Sequence, residues 1–493
     1  MISLFVALPL VVAGVLPLVG KVSRRVVPDL LANAALLALA VTAVVGGRPL
    51  IGNGPVLQQI AWLGESVNIR LALDGFSLFM LLAVSVVGLC VGLFSIDYME
   101  HYGAKANYYA LLLVMVAGMN GLVLATDLFN VYIFLEVAAV ASYALVAYGR
   151  GYDELEAAFK YLMLSVVASA AIVVAIAVLF GITGSLSFAG VARGLRDVSA
   201  GPVVGVAAAL FILGFGLKAA LVPFHAWLPD AHPSAPAPIS AVLSGLLIKV
   251  SGVYALTRVF LNVLGLTPAL STVLMFLGTV SMVAAAFLAL GQKDIKRMLA
   301  YSSISQVGYV VLGIGIGTPL GIAGGLFHLF NHALAKGLLF LTSGSIQQST
   351  GTRDLDEMGG LAKRMPWTAA TNLVGSLSIA GVPPLNGFWS KLIIIIALVQ
   401  AGHPVFAVIA VLATVLTLWY YLIIQRKAFF GTLNARWAAV REAPFWMTAA
   451  TVVLATLCVA IGVFFSFALK SWVQPAAGVL ADGVQTVIRS WGL

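Results

Sequence analysis

Five lysines lie inside long apolar stretches of this sequence, where a charged side chain is energetically unfavourable. A charge at the centre of a bilayer costs about 2.5–3.5 kcal/mol on insertion scales. Lys249, Lys336 and Lys391 lie well inside their stretches, and Lys218 comes shortly before a proline. Lys160 lies near one end, where it could reach the interface or make a plain helix–helix contact. Buried amines of this kind predict proton exchange or ion pairing.

A carboxylate and two histidines add to these amines. Glu136 is central in "LFNVYIFLEVAAVASYALVAY", either as a structural ion-pair partner for a lysine or as a group that tunes proton affinity. The segment "GGLFHLFNHALAKGLLF" places His328, His332 and Lys336 at i, i+4 and i+8, on one helical face. Three titratable groups on one face favour a hydrated path. A histidine pair could bind a metal, but no third ligand is evident, so we predict no metal site.

The elements that must position these groups are membrane helices. The chain has 493 residues, 61% of them hydrophobic and only 9% charged, whereas a soluble domain is about one quarter charged. This composition predicts an all-α, multi-pass membrane protein without room for a soluble catalytic domain. Runs of about twenty apolar residues can cross a bilayer as helices. We expect about fourteen such spans, at 2–20, 28–46, 73–95, 108–125, 128–148, 157–181, 203–223, 239–261, 270–290, 298–317, 319–345, 368–399, 404–425 and 446–468.

An even number of spans places both termini on the same side of the membrane. If the termini are outside, fifteen loop Lys and Arg residues lie inside and seven outside, with Arg258 counted among the outer ones. This distribution follows the positive-inside rule. We therefore predict a cell-membrane protein with both termini on the outer side. The sequence has no CxxC or nucleotide-binding glycine motif, so we predict no cofactor.

Two apolar stretches contain matching helix breaks. "LVPFHAWLP" has Pro223, and "SIAGVPPLNGFWSK" has Pro383 and Pro384; Lys218 precedes the first break and Lys391 follows the second. Proline removes a backbone donor, and in lipid the freed groups need protein or water as partners. Paired breaks in two halves of a transporter indicate an ion or substrate site near the midplane.

The breaks also predict an internal repeat. Glu156 and Lys160 in "EAAFKYL" have the same spacing as His332 and Lys336 in "HALAKGLL". Spans four to eight would then repeat as spans nine to thirteen. Because each copy has an odd number of spans, five, the second copy enters the membrane from the opposite side. We expect an N-terminal three-helix segment over 1–107, two inverted five-helix repeats over 108–262 and 268–426, each with a broken helix, and a C-terminal helix with a short tail over 427–493.

With these residues in hand, the chain resembles the antiporter-like membrane subunits of respiratory complex I, Mrp-type Na+/H+ antiporters and membrane-bound hydrogenases. The resemblance covers roughly 70–430 and is carried by "KAALVPFHAWLPDAHPSAPAPISAVLSGLLIKVSGVY", "DIKRMLAYSSISQVGY" and "GVPPLNGFWSK". It implies a fourteen-helix fold with inverted five-helix repeats. It also implies proton translocation within a hetero-oligomeric membrane complex, with other membrane subunits as partners and, in some complexes, a peripheral redox arm.

The resemblance assigns roles to individual residues. Glu136 resembles the family's fifth-helix glutamate, which pairs with the seventh-helix lysine, here Lys218. Lys249 resembles the central eighth-helix lysine, and Lys391 the twelfth-helix residue where the ion path ends. The implied proton order runs from Lys218 to Lys249, then through the stripe of His328, His332 and Lys336 to Lys391.

Two departures narrow the resemblance, and several alternatives stay open. The lysine of "GFWSK" argues against a subtype with glutamate there, and the tail is short for the longest subtype. The pattern is most similar to the D-type Mrp subunit or to its hydrogenase or complex I counterpart. A stand-alone secondary transporter, a quinone-contacting subunit of a redox enzyme and a structural anchor are the rivals. The sequence leaves open whether Na+ or only H+ moves, and it predicts no redox catalysis in this chain itself.

Overall fold

The computed structural model describes residues 2–47, 54–61, 68–197 and 201–491. These residues form an α-helical bundle with one small β-hairpin. The helices are α1 Leu4–Val19, α2 Val26–Val41, α3 Gly75–Tyr98, α4 Lys105–Leu124, α5 Leu128–Val146, α6 Tyr152–Thr183, α7 Phe188–Asp197, α8 Pro202–Ala219, α9 Leu228–Ser234, α10 Ala237–Val263, α11 Pro268–Leu290, α12 Ile295–Gly315, α13 Pro319–Thr350, α14 Pro366–Ala380, α15 Asn386–Gln400, α16 Pro404–Ile424, α17 Phe445–Val463, α18 Phe465–Ala468, α19 Gln474–Ala481 and α20 Val484–Ser490.

The predicted all-α membrane architecture is confirmed. Among the described residues, eleven helices are long and apolar enough to cross a membrane, and α1 and α15 are shorter apolar helices. Each of the fourteen predicted stretches coincides with a helix or, at 368–399, with the broken pair α14 and α15. The count of fourteen spans and the repeat boundaries stay predictions.

Local sequence signals explain where many helices begin. Asp74 caps α3: its Oδ1 accepts from Ser77 N at 2.8 Å, and Ser77 Oγ accepts from Asp74 N at 2.8 Å. Asp127 caps α5 by accepting from Asn130 N at 2.7 Å, which separates α4 from α5 within "ATDLFN". Such caps satisfy amide groups that the first helical turn leaves unpaired. Proline opens α8, α11, α13, α14 and α16, at a position where its missing N–H is not needed.

The interior of the bundle is mainly apolar but also holds many polar side chains, and large apolar side chains cover much of its outer surface. All 27 residues of α10 are buried inside the bundle. Nearly all residues of α12 and α13 are buried as well. In contrast, α6, α11, α16 and the end of α17 each expose large apolar side chains such as Phe159, Phe276, Val408 and Phe464. This distribution suits a protein whose outer surface contacts acyl chains and whose polar groups face the bundle interior.

A β-hairpin that the sequence reasoning did not predict precedes α3. Strand β1, Val56–Ala61, pairs antiparallel with β2, Asn68–Leu73, with Val56 opposite Leu73 and Gln59 opposite Arg70. Leu71 forms an isolated bridge with Ala125 at the end of α4. The hairpin therefore connects the start of α3 to the α4–α5 junction.

Both predicted helix breaks are present. The first separates α8 from α9, with Ala220 in the left-handed region at φ 55°. The carbonyl of Leu217 accepts from Trp227 Nε1 at 2.9 Å, and Ser281 Oγ accepts from Val222 N at 2.9 Å. Side chains thus satisfy backbone groups that the break releases, as burial away from water requires.

The second break separates α14 from α15 and depends on two glycines. Gly381 adopts φ 79°, a left-handed conformation that favours glycine. At Gly387, a Cβ atom would overlap the carbonyl oxygen of Ser378, so only glycine fits this close approach. Asn386 Nδ2 donates to Asn331 Oδ1 at 3.1 Å, and Asn331 Nδ2 donates to Asn386 O at 2.9 Å. These bonds attach the break to α13.

Candidate functional site

The first group of the site is an ion pair between α5 and α8. Lys218 Nζ lies 3.6 Å from Glu136 Oε1; the lysine side chain is 3% exposed and the glutamate side chain 29%. The predicted partnership of these residues is therefore present in the geometry. Glu136 is the more accessible of the two, so the carboxylate lies between the buried amine and the surface.

Hydroxyl groups of α6 connect this pair to its surroundings. Lys218 Nζ donates to Ser165 Oγ at 2.5 Å, and Tyr143 OH donates to the same oxygen at 2.5 Å. Ser169 Oγ donates to Glu136 Oε1. The lysine thus has a hydroxyl partner besides its carboxylate and keeps a neighbour when the ion pair separates.

The first helix break determines where Lys218 lies. It is in the last turn of α8, two residues before Ala220 turns the chain. The carbonyl end of a helix favours a nearby positive charge. The break therefore places Lys218 at the carbonyl end of a helix that stops in the interior of the bundle.

Lys249 lies on α10 in a π-helical segment, Leu243–Tyr254, and is 1% exposed. Its Nζ donates to Ser244 O of the same helix. Among the described residues it has no carboxylate within ion-pair distance. π-Helical turns are rare and are often found at functional sites. A fully buried amine held only by a carbonyl has little to stabilise its charged form.

Helices α10 and α13 cross closely beside this lysine. A Cβ atom at Gly245 would lie 3.2 Å from Ala333 O and 3.7 Å from Gly337 N. Lys249 is about one turn beyond Gly245, and Lys336 is next to Gly337. The crossing therefore brings the amine of α10 to the stripe of titratable groups on α13.

The stripe on α13 is buried, and its members differ in their partners. His328 Nδ1 lies 3.0 Å from Ser390 Oγ, and its Nε2 lies 3.1 Å from Gln306 Oε1. The His332 ring is parallel to the His328 ring, with centroids 6.2 Å apart. Within the described part of the chain, neither ring nitrogen of His332 has a hydrogen-bond partner.

Lys336 continues the stripe toward α12 and α16. Its Nζ donates to Leu299 O at 2.9 Å and to Tyr421 OH at 3.0 Å. The amine also lies 5.7 Å from the centroid of the Tyr421 ring. Within the part of the chain that the structure describes, the amine lies in a neutral polar pocket and pairs with no carboxylate.

Lys391 lies on α15, just after the second break, and is 3% exposed. Its Nζ has no hydrogen-bond partner among the described residues and lies 4.6 Å above the centroid of the Tyr309 ring. The same Tyr309 ring is 5.5 Å from that of His328. Lys391 is therefore connected to the α13 stripe through one aromatic ring and through its neighbour Ser390.

We name these side chains, which lie on α5, α8, α10, α13 and α15, the polar row. Its members are Glu136, Lys218, Lys249, His332, His328, Lys336 and Lys391. Lys160, the remaining membrane lysine of the sequence, lies outside the row. It is half exposed and pairs with Glu156 at 2.8 Å and Asp230 at 3.6 Å. Of the two interpretations left open for it, the geometry matches a surface helix–helix contact.

Sequence reasoning missed one buried histidine beside the row. His232 lies in α9 and is completely buried, with its ring stacked on Phe340 at 4.6 Å between centroids. Both of its ring nitrogens are without a partner in the described chain. Lys296, counted with the inner loop residues, is also buried, and its Nζ donates to Ala235 O at 2.7 Å. Both residues could have been found from the sequence. His232 lies in "PDAHPSAPAP" and Lys296 in "DIKRML", within the two segments that carry the family resemblance.

Arg258, which the charge count placed with the outer residues, is buried within α10. It is 1% exposed and forms a two-pronged pair with Asp74, with both N–O distances 2.9 Å. Its guanidinium also contacts Tyr254 OH at 3.0 Å and Asn262 Oδ1 at 3.1 Å. Tyr254 and Asn262 lie four residues to either side of Arg258, a spacing that could have revealed the buried cluster.

Two family models match the sequence of this chain. Residues 125–417 match a family model described as NADH:quinone oxidoreductase/Mrp antiporter, TM. Residues 62–109 match one described as NADH-ubiquinone oxidoreductase (complex I), chain 5 N-terminus.

Individual proteins and structures give the same picture. The chain is similar to NADH-quinone oxidoreductase subunit N of Desulforudis audaxviator, 34% identical over 87% of this chain and 86% of that protein. It is also similar to the D-type subunit of the Na(+)/H(+) antiporter of Alkalihalophilus pseudofirmus, 33% identical over 87% of each. Its fold resembles a chain in the structure of the Mrp complex from Dietzia sp., with TM-score 0.91, 29% identity and 99% of each chain covered.

Proposed function

Because the chain belongs to the family of NADH:quinone oxidoreductase and Mrp antiporter membrane subunits, we propose that it translocates protons along the polar row. It does so as one subunit of a multi-subunit membrane complex. The complex is an Mrp-type cation/proton antiporter or a redox-driven pump. In both cases the ion moves through this chain, and the driving reaction takes place elsewhere.

The proposal rests on the partners of the lysine amines in the polar row. Of the four lysines in the row, only Lys218 has a carboxylate partner among the described residues. Lys249, Lys336 and Lys391 are buried against carbonyl, hydroxyl or aromatic groups. In water a lysine amine titrates near pH 10.4, and burial disfavours its charged form. Amines held in this way exchange protons more readily than amines paired with carboxylates.

The mechanism begins with the Glu136–Lys218 pair. While the pair is closed, the carboxylate stabilises a proton on Lys218. When the pair opens, Lys218 retains Ser165 as a partner, and its proton is released toward Lys249. The stripe on α13 then takes the proton, and Lys391 is the last group. Buried polar atoms without a protein partner, such as those of His332, support a path through ordered water.

The test replaces single lysines in the intact complex. We expect Lys218→Ala and Lys249→Ala to abolish proton transport in reconstituted vesicles while the complex still assembles. Lys160→Ala is the matched control, because this lysine also lies in a membrane helix but belongs to an exposed ion pair. Normal transport in both row variants would contradict the proposal, and equal loss in the control would show a general effect of removing a membrane lysine.

The proposal also includes an orientation. With both termini on the outer side, the basic loops around α14, α16 and α17 lie inside, as the positive-inside rule requires. The break of α8–α9 and the break of α14–α15 then lie in two oppositely oriented repeats. Each break contributes one end of the row, Lys218 at the first and Lys391 at the second.

A further inference from the structure

An apolar groove lies on the outer surface of the bundle between α14 and α17. It has a volume of about 400 Å³ and is lined almost entirely by apolar side chains. Trp367 and Val374 form its α14 wall, and Val459 and Phe464 are part of its α17 wall. Because α17 is long and apolar enough to cross a membrane, its wall of the groove faces acyl chains.

Three cations lie at one end of this groove. Lys363 and Arg364 immediately precede α14, Arg441 precedes α17, and all three are exposed. The two helix starts are joined, because Glu442 accepts from Trp367 N at 2.8 Å. Among the ion pairs of the described residues, none includes any of these three cations.

The carboxylate of Glu442 at this end is already occupied. Glu442 Oε2 accepts from Trp367 N, and its Oε1 accepts from Thr368 Oγ1 at 2.6 Å and from Ala443 N at 3.1 Å. It therefore caps the start of α14, where a negative charge is favoured by the helix dipole. The three cations remain available for an external anion.

Exposed aromatic residues lie at the same end. Trp367 is 59% exposed, Phe445 73% and Trp446 41%. Aromatic side chains are enriched at the level of lipid headgroups. This places the cations at the headgroup level and the groove in the hydrocarbon region next to them.

We propose that this groove binds an anionic phospholipid. One acyl chain lies between α14 and α17, and the phosphate headgroup is held by Lys363, Arg364 and Arg441. Basic pockets between transmembrane helices bind anionic headgroups in this way. A membrane partner subunit with an acidic rim is the competing occupant, and the experiment distinguishes the two.

The experiment labels the purified complex in phosphatidylcholine nanodiscs that contain a sub-saturating fraction of photoreactive phosphatidylglycerol. After illumination, peptides of α14 and α17 are examined for attached lipid by mass spectrometry. We expect strong labelling of these peptides, and much weaker labelling when the photoreactive lipid is phosphatidylcholine.

Each Lys or Arg near an anionic lipid contributes about 1 kcal/mol, and about 1.4 kcal/mol is tenfold in affinity. The variant Arg364→Gln/Arg441→Gln should therefore lose roughly 30-fold in phosphatidylglycerol affinity.

Two further variants complete the design. Thr456→Trp fills the groove without changing charge, since Thr456 lines it and is exposed; it should lower labelling by both lipids. Lys21→Gln/Arg24→Gln removes two exposed cations between α1 and α2 and should leave labelling of α14 and α17 unchanged. Equal labelling by the two lipids, or equal loss in this control, overturns the proposal. So does chemical crosslinking of the groove to a neighbouring subunit in place of lipid.

Discussion

At the scale of single residues, the buried cations of this protein differ in how completely they are satisfied. Arg258 has a carboxylate, a hydroxyl and an amide as partners. Lys391, in contrast, has only the face of Tyr309 among the described residues. A fully paired cation stabilises one arrangement of the helices, whereas a poorly paired one can lose its proton. We therefore expect Arg258 to stabilise the fold and Lys391 to act in the proposed transport.

Removing the partner of Arg258 should be strongly destabilising. In Asp74→Asn the guanidinium stays buried without its carboxylate, which costs about 3–5 kcal/mol. We expect the apparent Tm of the purified complex in detergent to fall by several degrees. The double variant Asp74→Asn/Arg258→Met should recover much of this loss, because it leaves no buried charge unpaired.

An exposed pair provides the control for that experiment. Glu156 and Lys160 are both about half exposed, and such pairs contribute about 0–1 kcal/mol. Glu156→Gln should therefore leave the Tm nearly unchanged. A double variant no more stable than Asp74→Asn alone would contradict the assignment of Arg258 to an ion pair of this strength.

The two histidines of the polar row should separate stability from transport. His328→Leu removes the partner of Gln306 Oε1, and leaving such a buried group unsatisfied costs about 1–3 kcal/mol. Ser390 Oγ keeps its bond to Gly387 O. His332→Leu leaves no described protein group without its hydrogen-bond partner, because the ring nitrogens of His332 have no partner among the described residues. We expect only the first variant to lower the Tm, and both to lower proton transport in vesicles. Unchanged transport in His332→Leu would remove this residue from the row.

At the scale of elements, the helices were predictable, and most contacts between them, apart from the Glu136–Lys218 pair, were not. Apolar runs and proline positions predicted the broken pair α14 and α15. The charge count placed Arg258 with the outer residues, near the end of the predicted span at 239–261. Only packing against the tail and α3 makes that position interior. The β-hairpin was missed because its strands are short and lie between long apolar runs. His232 was missed because its environment depends on α13.

The second break provides a test of how an element positions a residue. In Gly387→Ala the new Cβ would overlap the carbonyl oxygen of Ser378, so the backbone must move. Overpacking of this kind costs about 1–3 kcal/mol or more. It also displaces Ser390 and Lys391 on the following turn of α15. We expect a lower Tm together with reduced proton transport.

The control for this variant is another helical glycine. A Cβ at Gly478 in α19 meets nothing within 4 Å, and Gly to Ala in a helix is stabilising by up to about 1 kcal/mol. Gly478→Ala should therefore retain transport and keep or raise the Tm. If Gly387→Ala behaved in the same way, the close approach at the break would have no role in placing Lys391.

At the scale of the whole molecule, the two breaks connect the polar row to the repeat. One end of the row follows from the break of α8–α9 and the other from the break of α14–α15. In the proposed inverted repeat, each break belongs to one of two oppositely oriented halves, so the proposed path depends on their relative orientation. Orientation is therefore the property on which the direction of transport depends.

Cysteine labelling can test this orientation. Both native cysteines, Cys90 and Cys458, are buried, so an impermeant maleimide should give little background. Thr432 and Ser490 are exposed and lie on opposite ends of α17. In right-side-out membrane vesicles we expect Ser490→Cys to react at once and Thr432→Cys only after permeabilisation, because the loop around Thr432 is rich in Lys and Arg. The reverse pattern would invert the orientation, and labelling of both from one side would contradict a membrane-spanning α17.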